Sequence, residues 1–243
     1  MPKLVWDKSG EHFYENGVDH GVLFVKKTTV ASGQEGTGVG EYEKGVAWNG
    51  LVSVSLSPEG ADPNDIYADN IKYLSLLGIE SVNATIEAYQ SPKEFDVCDG
   101  SAELVTGMPG VTVGQQPRRP FALVFRTKVG NDAGLNAYKL HILYGCLATP
   151  ADRDYETIND SPDAMTLSWD VTTVPVEIED EDAVLKATAL VTIDSSKFTD
   201  ATKAKLTAIE NSLFGTDGVS PAVGTDPTLL LPSEIITILT SNG

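Results

Sequence analysis

Apolar and polar residues alternate with a period of two along most of this chain, a pattern that predicts short β-strands with one buried and one wet face. Val46, Trp48, Val52, Val54 and Leu56 share one parity, and Asn49, Ser53 and Ser55 share the other. The same alternation runs through Val82, Ala84, Ile86 and Ala88 and through Met165, Leu167, Trp169 and Val171, and Phe121, Leu123 and Phe125 fall in register in a further strand over Phe121–Thr127. Tyr138, Leu140, Ile142 and Tyr144 alternate with Lys139, His141 and Leu143, which puts His141 on the outward parity of its strand. Glycine, Asn131 and Asp132 separate this strand from the one ending at Thr127, so the two read as a hairpin. Val22–Val25, Ile66–Leu74, Ala183–Ile193 and Ile235–Leu239 complete the set of predicted strands.

Two stretches read as helix. Ser91 as cap, Pro92 at the first helical position and Glu94 three residues after the cap form a capping-box signature, and Asp99-Gly100 closes it within a turn or so. Lys197–Phe214 is longer: Thr199 or Asp200 caps it, Leu206, Ile209 and Leu213 line one face, and Gly215 stops it. The expected class is therefore mainly β, an antiparallel β-sandwich or barrel-like fold with one short and one longer α-helix, plus extended loops and arms. Three regions are expected: an N-terminal arm and flexible loop over 1–44, a β core over 45–178, and a strand-helix-strand extension over 179–243 packed with the core as one domain.

The connections are rich in turn formers. Gly33, Gly36, Gly38, Gly40 and Gly45 fall in one segment. A phosphate loop would end in Gly-Lys-Ser/Thr and open a helix, whereas Gly40 is followed by Glu41 and no helical pattern. The segment reads instead as a loop that orders on assembly. Ser57–Asp65 reads as a connection, since neither Pro58 nor Pro63 could sit in a central strand. The Asn83-Ala84-Thr85 sequon carries no meaning without a secretory route.

Charge changes the picture most. Seventeen basic and 35 acidic residues give −18, a surface that repels nucleic-acid phosphate and anionic lipid. No run of about 18 apolar residues predicts a membrane span, and Met1–Gly17 has no apolar signal core. Cys98 and Cys146 are expected as free thiols. His12, His20 and His141 have no metal-ligand spacing, the serines lie in no nucleophile motif, and Glu177–Asp182 has the charge but not the spacing of a calcium loop. No catalytic, cofactor or metal residue is therefore expected, and no enzyme. Glu59, Asp62, Asp65 and Asp69 gather in one stretch, and Arg118, Arg119, Arg126, Lys128 and Lys139 in another. Complementary patches of this kind can dock one copy on the next, so Glu59, Asp62, Asp65, Asp69, Arg118, Arg119 and Arg126 are the candidate subunit contacts.

Several long motifs occur in order: GVAWNGL (45–51), SPEGADPNDIYADNIKYL (57–74), ATIEAYQSPKEF (84–95), CDGSAEL (98–104), GVTVGQQPRRPFALVFRT (110–127), YKLHILYG (138–145) and NDSPDAMTLSWDVTTVPV (159–176). Together they resemble the major tail (tail tube) proteins of long-tailed, non-contractile bacteriophages, over residues 45–178. The resemblance implies a tail tube β-sandwich, hexameric rings stacked into a tube, and a lumen through which DNA passes without specific binding. It also implies tail tip or initiator, tape measure and tail terminator partners, and a place in the virion after synthesis in the bacterial host cytoplasm. The family brings no catalytic residues with it. The reading from another class is an acidic β-sandwich binding module for carbohydrate or cell-surface adhesion.

Overall fold

The computed structural model describes residues 6, 8–29, 37–60, 63–77, 80–108, 110–134, 136–151, 153, 155, 157, 164–178, 185–218 and 223–241. Asp62, residues 30–36 of the expected glycine-rich loop and residues 179–182 of the acidic cluster lie outside them. The chain is mainly β, and the named strands pair antiparallel.

The main sheet is built from β1 (Phe13–Val25), β2 (Val46–Trp48), β3 (Leu51–Glu59), β6 (Ser81–Ala88), β9 (Phe121–Asn131), β10 (Asn136–Pro150), β11 (Leu167–Thr173) and β12 (Leu190–Asp194). Their order is β2-β1-β9-β10-β11-β6-β3, with β12 also on β10. The strands at the two ends of this order, β2 and β3, are consecutive in sequence. Only Asn49 and Gly50 join them, so the sheet curls back toward its own beginning without closing into a barrel. β10 makes this possible. Its Lys139–Leu143 half pairs with β12 and its Cys146–Pro150 half pairs with β11. Gly145 sits at the switch with φ +58°, and a Cβ there would lie 2.2 Å from the Val174 carbonyl oxygen. Only glycine fits both demands.

Three strands explain the cores. β1, β9 and β10 contain nearly unbroken apolar runs because both of their faces are buried there. One face, with Leu23, Phe121, Leu123, Phe125 and Leu143, packs inside the curl against Trp48, Ile86, Trp169 and Val171. The other, with Phe24, Ala122, Val124, Leu140, Ile142 and Tyr144, is covered by α3 (Lys203–Phe214), by Leu229–Leu231 and by α4 (Pro232–Thr240). The curl is plugged by a short 3₁₀ turn (Lys93–Phe95) running into α2 (Asp96–Asp99). Phe95 meets Trp48, Phe121 and Trp169 with ring centroids 4.6, 5.3 and 5.1 Å apart, and Trp169 donates its indole N–H to Asp99 Oδ1 at 2.9 Å. Cys98 and Cys146 are free and buried in this core, and burial pushes the Cys98 thiol up to about 12.

Several expectations need correction. Ile235–Leu239 is helix, not strand: Pro232 occupies the first turn of α4, and Glu234 accepts the Leu231 N–H at 2.8 Å. Packing of Ile235 onto the sheet outweighs the strand propensity of its β-branched residues. The glycine-rich segment does reach a helical turn, α1 (Gly38–Glu41), where Thr37 Oγ1 accepts the Gly40 N–H at 3.0 Å. The helix at 93–99 forms where expected, but with no side-chain cap, so Ser91 and Glu94 do not build the box. α3 begins after Thr202, later than Thr199 or Asp200, while Leu206, Ile209 and Leu213 are buried and Gly215 ends it as expected. Ser57–Glu59 continue β3 instead of forming a loop, which is allowed because β3 is an edge strand and Pro58 owes no hydrogen bond there. The parity of β3 also shifts: Val52 is the extra residue of a bulge and is exposed, and Leu51 turns inward. β1 runs from Phe13 instead of Val22, and β12 starts only at Leu190, after an isolated bridge between Val176 and Thr188.

Replacing Gly145 with alanine should cost about 1–3 kcal/mol, the strain of a left-handed non-glycine residue, with the clash at Val174 added to it. Urea denaturation of Gly145→Ala measures it. An unchanged midpoint would show that β10 does not depend on this kink.

Candidate functional site

Residues 63–77 form a hairpin apart from the main sheet. β4 (Pro63–Ala68) and β5 (Ile71–Leu77) pair with each other and with no other strand among the described residues. Asp69 and Asn70 form its two-residue turn with φ +51° and +61°, the left-handed pair that tight hairpins require and that Asp and Asn tolerate. Strand propensity alone runs a single strand across 66–74; Asp-Asn between two apolar runs is the signal that breaks it.

Pairing assigns the faces. Ile66 lies opposite Leu74, Asn64 opposite Leu76, and Ala68 opposite Ile71, so these six share one face. Asp65 opposite Ser75 and Tyr67 opposite Lys72 share the other. On that second face Lys72 Nζ lies 2.7 Å from Asp65 Oδ1, and the Ser75 hydroxyl donates to the same oxygen at 2.6 Å. Those bonds, Lys72 first, hold the Asp65 carboxyl below the usual carboxylate range. The other face is largely apolar and open: Ile71 is 64% exposed and Leu76 52%. A two-stranded hairpin is marginal alone in water, and an apolar face left open marks an interaction surface.

The outward face of β3, β6 and β11 is different. Ser53 opposite Glu87, Ser55 opposite Thr85, and Asp170 opposite Thr85 line it. Ser53 donates to Glu87 Oε2 at 2.8 Å and Thr85 to Asp170 Oδ1 at 3.1 Å. These paired positions are hydroxyls and carboxylates, with no cation among them.

The candidate contact residues separate into two groups. Glu59 ends β3 and is exposed, Asp65 is paired within the hairpin, and Asp69 is exposed in its turn. Arg118 is exposed beside Thr149 Oγ1 at 3.5 Å, and Arg119 donates to the Lys26 carbonyl and lies 3.7 Å from Glu43. Arg126 is held inside its own subunit by two bonds to Asp19, at 2.7 and 3.0 Å, with its guanidinium 5.1 Å from the Tyr138 ring centroid. The Arg126 guanidinium holds the Asp19 carboxyl below its ordinary value.

His141 corrects an expectation. It is 9% exposed, stacked on Phe125 at 4.8 Å, and bonded to Thr127 and Thr192 at 2.9 and 3.3 Å. β12 and the early part of β1 flank the position that alternation alone turns outward, and burial lowers its pKa. A cavity of ≈ 320 Å³ is lined, among the described residues, by His20, Trp48, Asn49, Phe214 and Pro227 together with Gly21, Val22, Gly45 and Ala47.

No family model matches the chain, and no curated protein matches it. Among solved structures, a chain of the anti-feeding prophage (AFP) baseplate, 6-fold symmetrised, is similar with 10% identity and a TM-score of 0.32, covering 78% of this chain and 97% of that one. A chain of the PVC sheath/tube terminator of an extracellular contractile injection system in the extended state has 11% identity and a TM-score of 0.29, covering 79% and 99%. A chain of the PVC sheath-tube complex in the extended state has 14% identity and a TM-score of 0.26, covering 72% and 88%.

One electrostatic anchor is testable directly. Asp132, in the β9–β10 turn, accepts the Gly10 N–H at 2.9 Å and lies 3.1 Å from His12 Nδ1, tying down the segment before β1. These contacts, the Gly10 bond first, lower its pKa from 3.8 to about 2. A depressed acid stabilises the fold above its unfolded pKa, so this anchor is complete above pH ~4 and lost as pH falls through about 2. Amide exchange at Gly10 and His12 should therefore accelerate on acidification beyond its intrinsic pH dependence, and already at neutral pH in Asp132→Asn. Exchange that is indifferent to both would contradict the anchor.

Proposed function

We propose that this chain is a structural subunit of a phage-type tail tube. Copies close into rings, six to a ring as the sequence resemblance implies, and the rings stack around a lumen that passes DNA. The observation that carries the reading is the amphipathic β4–β5 hairpin, whose apolar face (Ile66, Ile71, Leu74 and Leu76) stays exposed among the described residues. A second copy is a fitting cover, because burial of that face removes apolar surface from water at roughly 25 cal/mol per Å². The hydroxyl-and-carboxylate face of β3, β6 and β11 supports the DNA-facing part. Such a wall offers phosphate no cation to hold it and repels it within a Debye length of about 8 Å. The role is mechanical rather than catalytic.

The binding-module reading has one observation in its favour. Tyr67 and Tyr73 are 67% and 68% exposed on the hairpin, and aromatic rings can stack on sugars.

Sedimentation velocity separates the two. The wild-type chain should grow in mass with concentration. Ile71→Asp combined with Leu74→Asp should keep the monomer's circular dichroism and stay monomeric, because both positions lie outside the two cores. A wild-type chain that remains monomeric at every concentration would favour the binding module and defeat the tube.

A further inference from the structure

Of the short ladders, β4–β5 and β7 (Ala102–Glu103) with β8 (Thr112–Val113) stand apart from the main sheet, whereas β12 lies on its margin. Among the described residues β12 pairs with β10 alone, across Lys139–Leu143. A short strand with one free edge is the kind of unit that opens while the core stays closed. In the middle of this ladder Thr192 lies opposite His141, the imidazole stacked flat on Phe125 and almost out of reach of solvent.

The hydrogen bonds around that ring fix its neutral form. Thr127 on β9 donates its hydroxyl proton to Glu15 on β1, so its oxygen is left to accept. The 2.9 Å contact between that oxygen and His141 Nε2 therefore makes Nε2 the N–H. Nδ1 is then the acceptor, and it takes the Thr192 hydroxyl of β12 at 3.3 Å. One neutral ring thus bridges β12 to β9 and β1.

A proton on Nδ1 breaks this arrangement on one side only. It turns the acceptor into a donor, facing a hydroxyl that already points its own proton there. On the other side Nε2 keeps its N–H, and Glu15 lies 3.4 Å away. The ring's charge is drawn toward Glu15, although Lys139 already engages that carboxylate. The remaining charged groups facing the site are Lys139, next on the same face of β10, and Asp194 of β12, opposite Lys139. β9 contributes Phe125 and Thr127 there, neither of which titrates near neutrality. Burial first, with Lys139 adding to it and Glu15 opposing, lowers the His141 pKa from 6.5. A depressed base stabilises the fold above its unfolded pKa, so the bridge is complete above pH ~6.5 and is lost as pH falls through the lower folded value.

We propose that His141 is an acid-operated latch on β12: neutral, it ties Thr192 to the β9–β10 hairpin, and protonated, it turns to Glu15 and loosens β12 while the two cores stay closed. The device is independent of the self-association proposed above.

Amide exchange and histidine ring signals, followed by NMR on the full chain between about pH 7.5 and 5, test it. The β12 amides should lose protection, beyond the intrinsic pH dependence of exchange, in step with the titration of the His141 ring. The amides of Glu15 and Asn16 should not. His12 and His20 titrate in the same wild-type sample, so two variants isolate the latch. His141→Gln can still hydrogen-bond but takes up no proton, and its β12 protection should be indifferent to pH. Thr192→Val removes only the hydroxyl partner of an exposed residue, so the chain should fold, and His141 should titrate without altering β12. Wild-type β12 protection that stays constant while the His141 ring titrates would overturn the latch, as would an acid-induced loss that persists in Thr192→Val.

Discussion

Everything in this molecule depends on three antiparallel strands being buried on both faces. β1, β9 and β10 carry apolar side chains at successive positions, which forces a second layer: α3, α4 and Leu229–Leu231 on one side, the curled remainder of the sheet on the other. A sheet with two covered faces has little tolerance for a flat, extended course. β10 therefore kinks at Gly145 and hands its open edge from β12 to β11. That kink sends β11, β6 and β3 back over the first core, where Trp48, Phe95, Phe121 and Trp169 close the curl with edge-on and tilted ring contacts.

Because the two cores are complete without it, the β4–β5 hairpin is free to serve another purpose. Ile66, Leu74 and Leu76 have the spacing of a core-facing strand pair but no core to face among the described residues. The opposite face is internally satisfied by the Asp65, Lys72 and Ser75 contacts. An element satisfied on one side and bare on the other is suited to a partner. The polar face of β3, β6 and β11 is the complement: its hydroxyls and carboxylates bond to each other, and its paired positions hold nothing basic to grip a polyanion.

Much of this is legible in the alternation of residues. The strands at 82–88, 138–144 and 165–171 are visible because each keeps one parity apolar, the one at 121–127 because it is an apolar, aromatic run, and Leu206, Ile209 and Leu213 mark the covering helix by their spacing. Alternation cannot carry what tertiary context sets. IITIL (235–239) has strand propensity and becomes helix because Glu234 caps it and the sheet packs under Ile235. His141 has outward parity and is buried because β12 and β1 flank it. The Asp69-Asn70 turn is readable by its chemistry but is masked by strong strand formers on both sides. The charged residues can be grouped from sequence, but only the fold shows that Arg126 and Asp65 are satisfied at home while Arg118 and Asp69 are exposed.

An apolar hairpin outside a self-sufficient fold is what would make this chain a tube-building subunit. Negative-stain electron microscopy of the concentrated wild-type protein tests that claim most directly. Rings or stacked tubes with an axial lumen are the predicted result. A field of separate particles with no lumen, at concentrations where the protein remains folded, would contradict it.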